Sequence, residues 1–135
     1  MSVVEEALVS VLKAASAVTN ICSTRVYPAV VPQKGTIPAL TYQRISGPRI
    51  RDLDGPDGMA TPRFQINCWS TTYKGAFTLS NAVRGVLDNY SGTVLSVVIH
   101  DCALEDEGDM FEPQVGADTE KRYGRRLDFI VWHGE

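Results

Sequence analysis

Between residues 2 and 19 the apolar positions Val4, Ala7, Leu8, Val11, Leu12, Ala15 and Val18 recur at helical spacing. They form one stripe, whose simplest role is to pack on a core. Ser2 stands as the cap of this helix, with Glu5 three residues on in capping-box position. Thr19-Asn20 ends the pattern. Arg25-Val26-Tyr27 then reads as a short strand. Proline removes a ladder donor, so the Pro28, Pro32 and Pro38 that follow make this piece an edge strand or an extended connection.

From Ala39 to Ser46 the period changes to two. Leu40 and Tyr42 face one way; Thr41, Gln43 and Ile45 face the other. A second alternating run, Arg63 to Ser70, sets Phe64, Ile66 and Cys68 against Arg63, Gln65, Asn67 and Trp69. Ser70-Thr71-Thr72 offers caps for a helix over 73–89, with Ala76, Leu79, Val83, Val86 and Leu87 as its buried stripe. Tyr90-Ser91-Gly92 closes it, with Gly92 suited to the left-handed position. Thr93 to His100 is rich in β-branched residues and reads as a strand. Acidic, Gly- and Pro-containing sequence continues to Thr119. The last strand, Lys121 to His133, alternates Tyr123, Leu127, Phe129 and Val131 with Arg122, Arg126, Asp128, Ile130 and Trp132.

The resulting order is α-β-β-β-α-β-β. Two helices cover only one face of such a sheet, so the expected fold class is α+β. The expected architecture is a two-layer sandwich with a mostly antiparallel sheet, in one domain over residues 1–135. The uncovered face should be polar, yet the pattern puts Trp69 there, with Trp132 and Ile130. Aromatic residues are enriched in interface cores, so these tryptophans are candidate interface residues. The alternative is that the rings fold over sheet edges or pack under loops.

The segment from Gly47 to Pro62 reads as a long loop crowded with Gly, Pro, Arg and Asp. Loops beyond about 12–15 residues are usually functional or disordered. Its charged residues Arg49, Arg51, Asp52 and Asp54 are therefore candidate contacts with a partner.

Composition narrows the options. A hydrophobic share of 44% and a charged share of 21% are those of an ordinary globular domain. The net charge of −3 gives no general basic surface and argues against sequence-independent nucleic-acid binding. Seven of the 16 carboxylates fall between Glu105 and Glu120. The three cysteines are widely spaced and lack a C-x-x-C, which suits a reducing compartment at synthesis. The N-terminal residues lack the basic region and apolar core of a secretory signal. No apolar run approaches the ~18 residues of a membrane span, so no membrane partner is expected.

Catalytic chemistry is sparse. His100, Asp101 and Cys102 are the one cluster of nucleophilic or metal-binding character, with His100 and Cys102 on one face of a strand. A Cys nucleophile needs a base and an oxyanion-stabilising group. A metal needs further ligands, which Cys68 and His133 supply only if their strands lie alongside in register. Asp52-Leu53-Asp54-Gly55-Pro56-Asp57-Gly58 only loosely matches a calcium loop: its glycine comes too early, and Arg63 stands where the glutamate should be. Turn chemistry accounts for it. No cofactor, no metal and no enzymatic activity are expected.

The segments EEALVSVLKA, RVYPAVVPQ, PALTYQRISGPR, LDGPDG, RFQINCWSTTYKGAFTLSNAVRGVLDNY and RRLDFIVWH occur in this order over nearly the whole chain. Together they resemble the tail-completion, or tail-terminator, proteins of long-tailed phages and gene transfer agents. The resemblance implies a structural virion protein, assembled in the host cytoplasm, that caps the head-proximal end of the tail tube as a ring, usually of six copies. It implies itself, the tail tube protein and a head-completion or stopper protein as partners. DNA would pass through the lumen without specific binding. Within that frame the acidic residues Glu105, Asp106, Glu107 and Asp109 are expected at the lumen or tube rim, where carboxylates repel phosphate. Two other readings stay open: another head–tail adaptor or tube component, and a small intracellular binding module or enzyme with a site near His100 and Cys102.

Overall fold

The structure, a computed structural model, describes residues 4–29, 31, 37–46, 49–52, 55–112 and 122–134. For residues 46, 49–52, 55–59 and 112 it describes the backbone alone. The described chain is α+β, with three helices and a mixed sheet of eight strands. The order is longer than the alternation suggests, because the expected 47–62 loop holds two strands, a turn at Leu95-Ser96 divides the expected 93–100 strand, and the first helix is divided.

The N-terminal stripe is divided between α1 (Val4–Ala14) and α2 (Ser16–Cys22). Ala15 between them has φ −88° and ψ 115°, an extended conformation that interrupts the helix. Val4, Ala7, Leu8 and Leu12 are buried from the first segment and Val18 from the second, so both halves of the stripe reach the core. The expected cap Ser2 lies outside the described residues.

Strand β1 (Val26–Pro28) runs parallel to β2 (Ala39–Ser46) at one edge of the sheet, the position its proline requires. β2 pairs antiparallel with β5 (Arg63–Ser70), Leu40 facing Cys68 and Tyr42 facing Ile66. The segment between these strands is not the expected loop. It holds β3 (Arg49–Asp52) and β4 (Gly55–Ala60), paired antiparallel, with Arg49 facing Ala60 and Asp52 facing Gly55. Ser46 faces Arg63, so the β3–β4 ladder prolongs the β2–β5 ladder. Gly55-Pro56-Asp57-Gly58 opens β4 opposite Asp52 and Arg51 and spans a register shift of the ladder, rather than free coil.

Helix α3 (Tyr73–Leu87) starts as its sequence predicts: Thr72 Oγ1 accepts from the Gly75 N–H at 3.0 Å. Its buried stripe is Ala76, Leu79, Val83 and Leu87, with Val86 packed alongside. Asn89, not Gly92, takes the left-handed position after it, with φ 66°. A tight hairpin follows. β6 (Gly92–Val94) and β7 (Val97–Glu112) are joined by Leu95 and Ser96, both with positive φ, the backbone of a two-residue hairpin turn.

β7 continues through the acidic segment to Glu112 and pairs along its length with β8 (Arg122–Gly134). β8 is the most connected strand: it also pairs with β5 and, at its C-terminal end, with β4. Phe64, Ile66, Cys68, Leu127, Phe129 and Val131 turn to the helix side and join the helical stripes in one core. The expected inward faces of these two strands are those observed.

Candidate functional site

The β7–β8 ladder brings the acidic segment against arginines, on both faces of the sheet. On the helix side, Asp109 faces Arg125 and Glu107 faces Leu127. Arg125 Nη1 donates to Asp109 Oδ1 at 3.1 Å, and Nη2 lies 3.2 Å from Glu107 Oε1. Its guanidinium stands 5.1 Å from the centroid of the Phe77 ring, within cation–π range. The Tyr73 hydroxyl donates to the second Asp109 oxygen at 2.9 Å. That bond holds the Tyr73 proton, so its pKa is raised, with the Asp109 charge adding to the effect.

Aromatic rings complete this corner. Tyr73 meets Tyr123 edge-on at 6.4 Å between centroids, and Phe111 tilts against Tyr123 at 5.1 Å. Tyr73, Phe77 and Phe111 are nevertheless 54%, 43% and 54% exposed. The sequence reading missed this patch. Its signal was present: Tyr73 and Phe77 are four residues apart on α3, off the buried stripe, where i and i+4 side chains are neighbours.

On the other face Arg126 pairs with Asp128 and, at 3.3 Å, with Asp106. Gly108, directly opposite Arg126, leaves room for the guanidinium: a Cβ there would stand 2.9 Å from Nη2. Three of the four predicted acidic residues, Asp106, Glu107 and Asp109, are thus held in ion pairs on a strand, while Glu105 is exposed. A solvated coil is not what this segment forms.

Trp69 shares that second face but does not stand out from it. It is 9% exposed, its Nε1 donates to Thr41 Oγ1 at 3.2 Å, and its ring covers Gly124. Thr41, Asn67 and Asp128 are buried beside it on the same face. Of the two readings of this residue, its burial agrees with a ring packed within its own chain: the ring fits where β8 has no side chain, and its N–H is satisfied by Thr41. Trp132, opposite Asp101, is half-buried. Of the hairpin residues, Arg49, Arg51 and Asp52 have described backbones only, and Asp54 lies outside the described residues.

The His100–Cys102 cluster does not assemble. A register shift between Ile99 and Asp101 breaks the alternation, leaving His100 exposed and Cys102 buried. Burial pushes the Cys102 thiol up to about 12 and the Cys68 thiol up as well, away from the thiolate that a nucleophile or metal ligand needs. Among the described residues no group of three or more His, Cys, Asp or Glu could hold a metal ion, and no helix is long and apolar enough to cross a membrane.

The described features of the molecule are thus a hairpin extended from the sheet, an exposed aromatic corner and three buried thiols. A family model described as Tail completion protein gp17 matches residues 6–134. The chain belongs to the tail completion protein gp17 family. It is therefore a structural component of a phage-like virion, as the tail-completion resemblance implies. A chain from a solved structure described as "Virion of native gene transfer agent (GTA) particle" shares the fold: TM-score 0.76, 17% identity, covering 97% of this chain and 94% of that one. No curated protein matches this tail-completion chain.

Proposed function

We propose that this tail-completion protein ends growth of the tail tube by capping its head-proximal end as a ring, of six copies, and there provides the surface for head attachment. The observation that carries the reading is the family match over residues 6–134. The shared fold of a chain within a gene transfer agent virion supports it. The role is structural, without cofactor.

The β3–β4 hairpin is the proposed contact arm, through Arg49, Arg51, Asp52 and Asp54. Mixed charge of this kind sets orientation more than affinity. Trp132, half-buried, is a proposed contact at the hairpin end of β8. The strand segment with Glu105, Asp106, Glu107 and Asp109 is proposed to face the lumen or tube rim. Arg125 and Arg126 offset only part of its charge, so DNA would slide past a surface that does not grip phosphate. Proposed partners are further copies of the chain, the tail tube protein and a head-completion or stopper protein.

Deletion of the gene tests the reading. Electron microscopy of the particles should show tails of uncontrolled length, or heads separated from tails. Normal particles would overturn it.

A further inference from the structure

Two apolar surfaces of the chain have no partner among the described residues. The first is the aromatic corner of Tyr73, Phe77 and Phe111. Its one guanidinium, Arg125, is already held by Asp109 and Glu107. Its aromatic area, with this guanidinium already paired, suits a protein partner. The second is an open groove of about 490 Å³ between α1 and β2, lined by Val9, Ser10, Ala14 and Tyr42, with exposed Glu6 and Lys13 at its sides.

These surfaces lie on opposite flanks of the molecule. Tyr42 belongs to β2 and Phe111 to β7, and the strands run β2-β5-β8-β7 between them. Three strand spacings amount to roughly 14 Å. A copy cannot fill its own groove with its own corner, but it can engage one neighbour on each flank at once. Each surface also carries both signs of charge: Glu6 and Lys13 beside the groove, Asp109 and exposed Lys74 beside the rings.

We propose that the aromatic corner of one copy seats in the α1–Tyr42 groove of a second copy of this chain, head to tail. Lys74 faces Glu6 across the contact. Such an interface joins one patch to a different patch, so it repeats and closes into a ring when the rotation allows. This deepens the ring reading above and rests on it for the closure.

Introduced cysteines test the contact. The native thiols are buried and raised in pKa, so a short bismaleimide reads only the new ones. Particles carrying both Ser10→Cys and Phe77→Cys chains should yield a cross-linked dimer, and the double variant a ladder of multimers. Either single variant should yield neither. Tyr73→Cys in place of Phe77→Cys repeats the test from a neighbouring position should Phe77→Cys misfold. Cross-linking of Phe77→Cys to itself, or only to a tube or head protein, would overturn the proposal. So would the absence of any cross-link in particles that contain both variants. Loss of the terminator reading is separate: it shows as normal tails after gene deletion and leaves the cross-link untouched.

Discussion

The ring of Trp69 lies against Gly124 so closely that a Cβ there would stand 2.7 Å from Cζ3 and 2.9 Å from Cε3. A rigid indole cannot yield as the end of a flexible side chain would. It is also fixed from its other side by the bond to Thr41. Gly124→Ala should therefore destabilise the isolated chain by about 1–3 kcal/mol through overpacking. A thermal melt followed by circular dichroism should show a fall of several degrees. An unchanged melting temperature would mean that the indole is not seated on β8.

How far the sequence disclosed this arrangement depends on which signal carried it. The inward faces of β5 and β8 follow from strict alternation, and Phe64, Ile66, Leu127 and Phe129 are buried as that alternation requires. Thr72 caps α3 as its position predicts. Alternation placed Trp69 on the correct face but left its exposure open, because it says nothing of the residue opposite. Gly124 across the ladder decides that question, and its relation to Trp69 exists only once the register is known. The hairpin and the distal half of β7 were hidden for a different reason. Gly, Pro and Asp mark turns, but they also mark hairpin ends and bulges. Glu107 and Asp109, poor strand formers by propensity, are held in β7 by Arg125 across the ladder.

Tyr73 gives the aromatic corner a pH signature. Its hydroxyl donates to Asp109, which raises its pKa above the ordinary 10.0. The folded state thus binds this proton more tightly than the unfolded state. The resulting stabilisation is complete below pH 10.0 and is lost as pH rises through the ordinary value towards the raised one. Tyr73→Phe should remove this component. Comparing the alkaline limbs of stability curves for wild type and Tyr73→Phe checks it. Coincident limbs would show that the Asp109 bond does not form in solution.

The thiols should be silent in the native state. Cys22, Cys68 and Cys102 are all buried, and desolvation is the main cause that raises each pKa above 9.0. Folding favours the protonated form, so this contribution is present below pH 9.0 and declines above it. At mildly alkaline pH, Ellman's reagent should label none of the native thiols and all three after denaturation. Rapid labelling of Cys102 in the folded chain would contradict its burial and reopen the possibility of a reactive site beside His100.

The β3–β4 hairpin offers the sharpest separation of folding from assembly. Among the described side chains between Ser46 and Arg63, Ala60 and Pro62 are the buried ones, and among the described residues β4 pairs with β8 at Met59 and Ala60. The β2–β5 ladder closes on its own at Ser46 and Arg63. Replacing residues 47–62 with a two-residue Asn-Gly turn should therefore leave the core paired and packed, because that turn suits the twist of the flanking strands. The shortened loop also costs less to close, by a fraction of a kcal/mol to about 2 kcal/mol. The melting temperature should remain within a few degrees of wild type. If the hairpin is the contact arm, particles complemented with this variant should resemble the gene deletion, with tails of uncontrolled length or free heads. Normal particles from a folded, truncated chain would remove Arg49, Arg51, Asp52 and Asp54 from the interface. Loss of folding would instead show that the hairpin supports the sheet it extends.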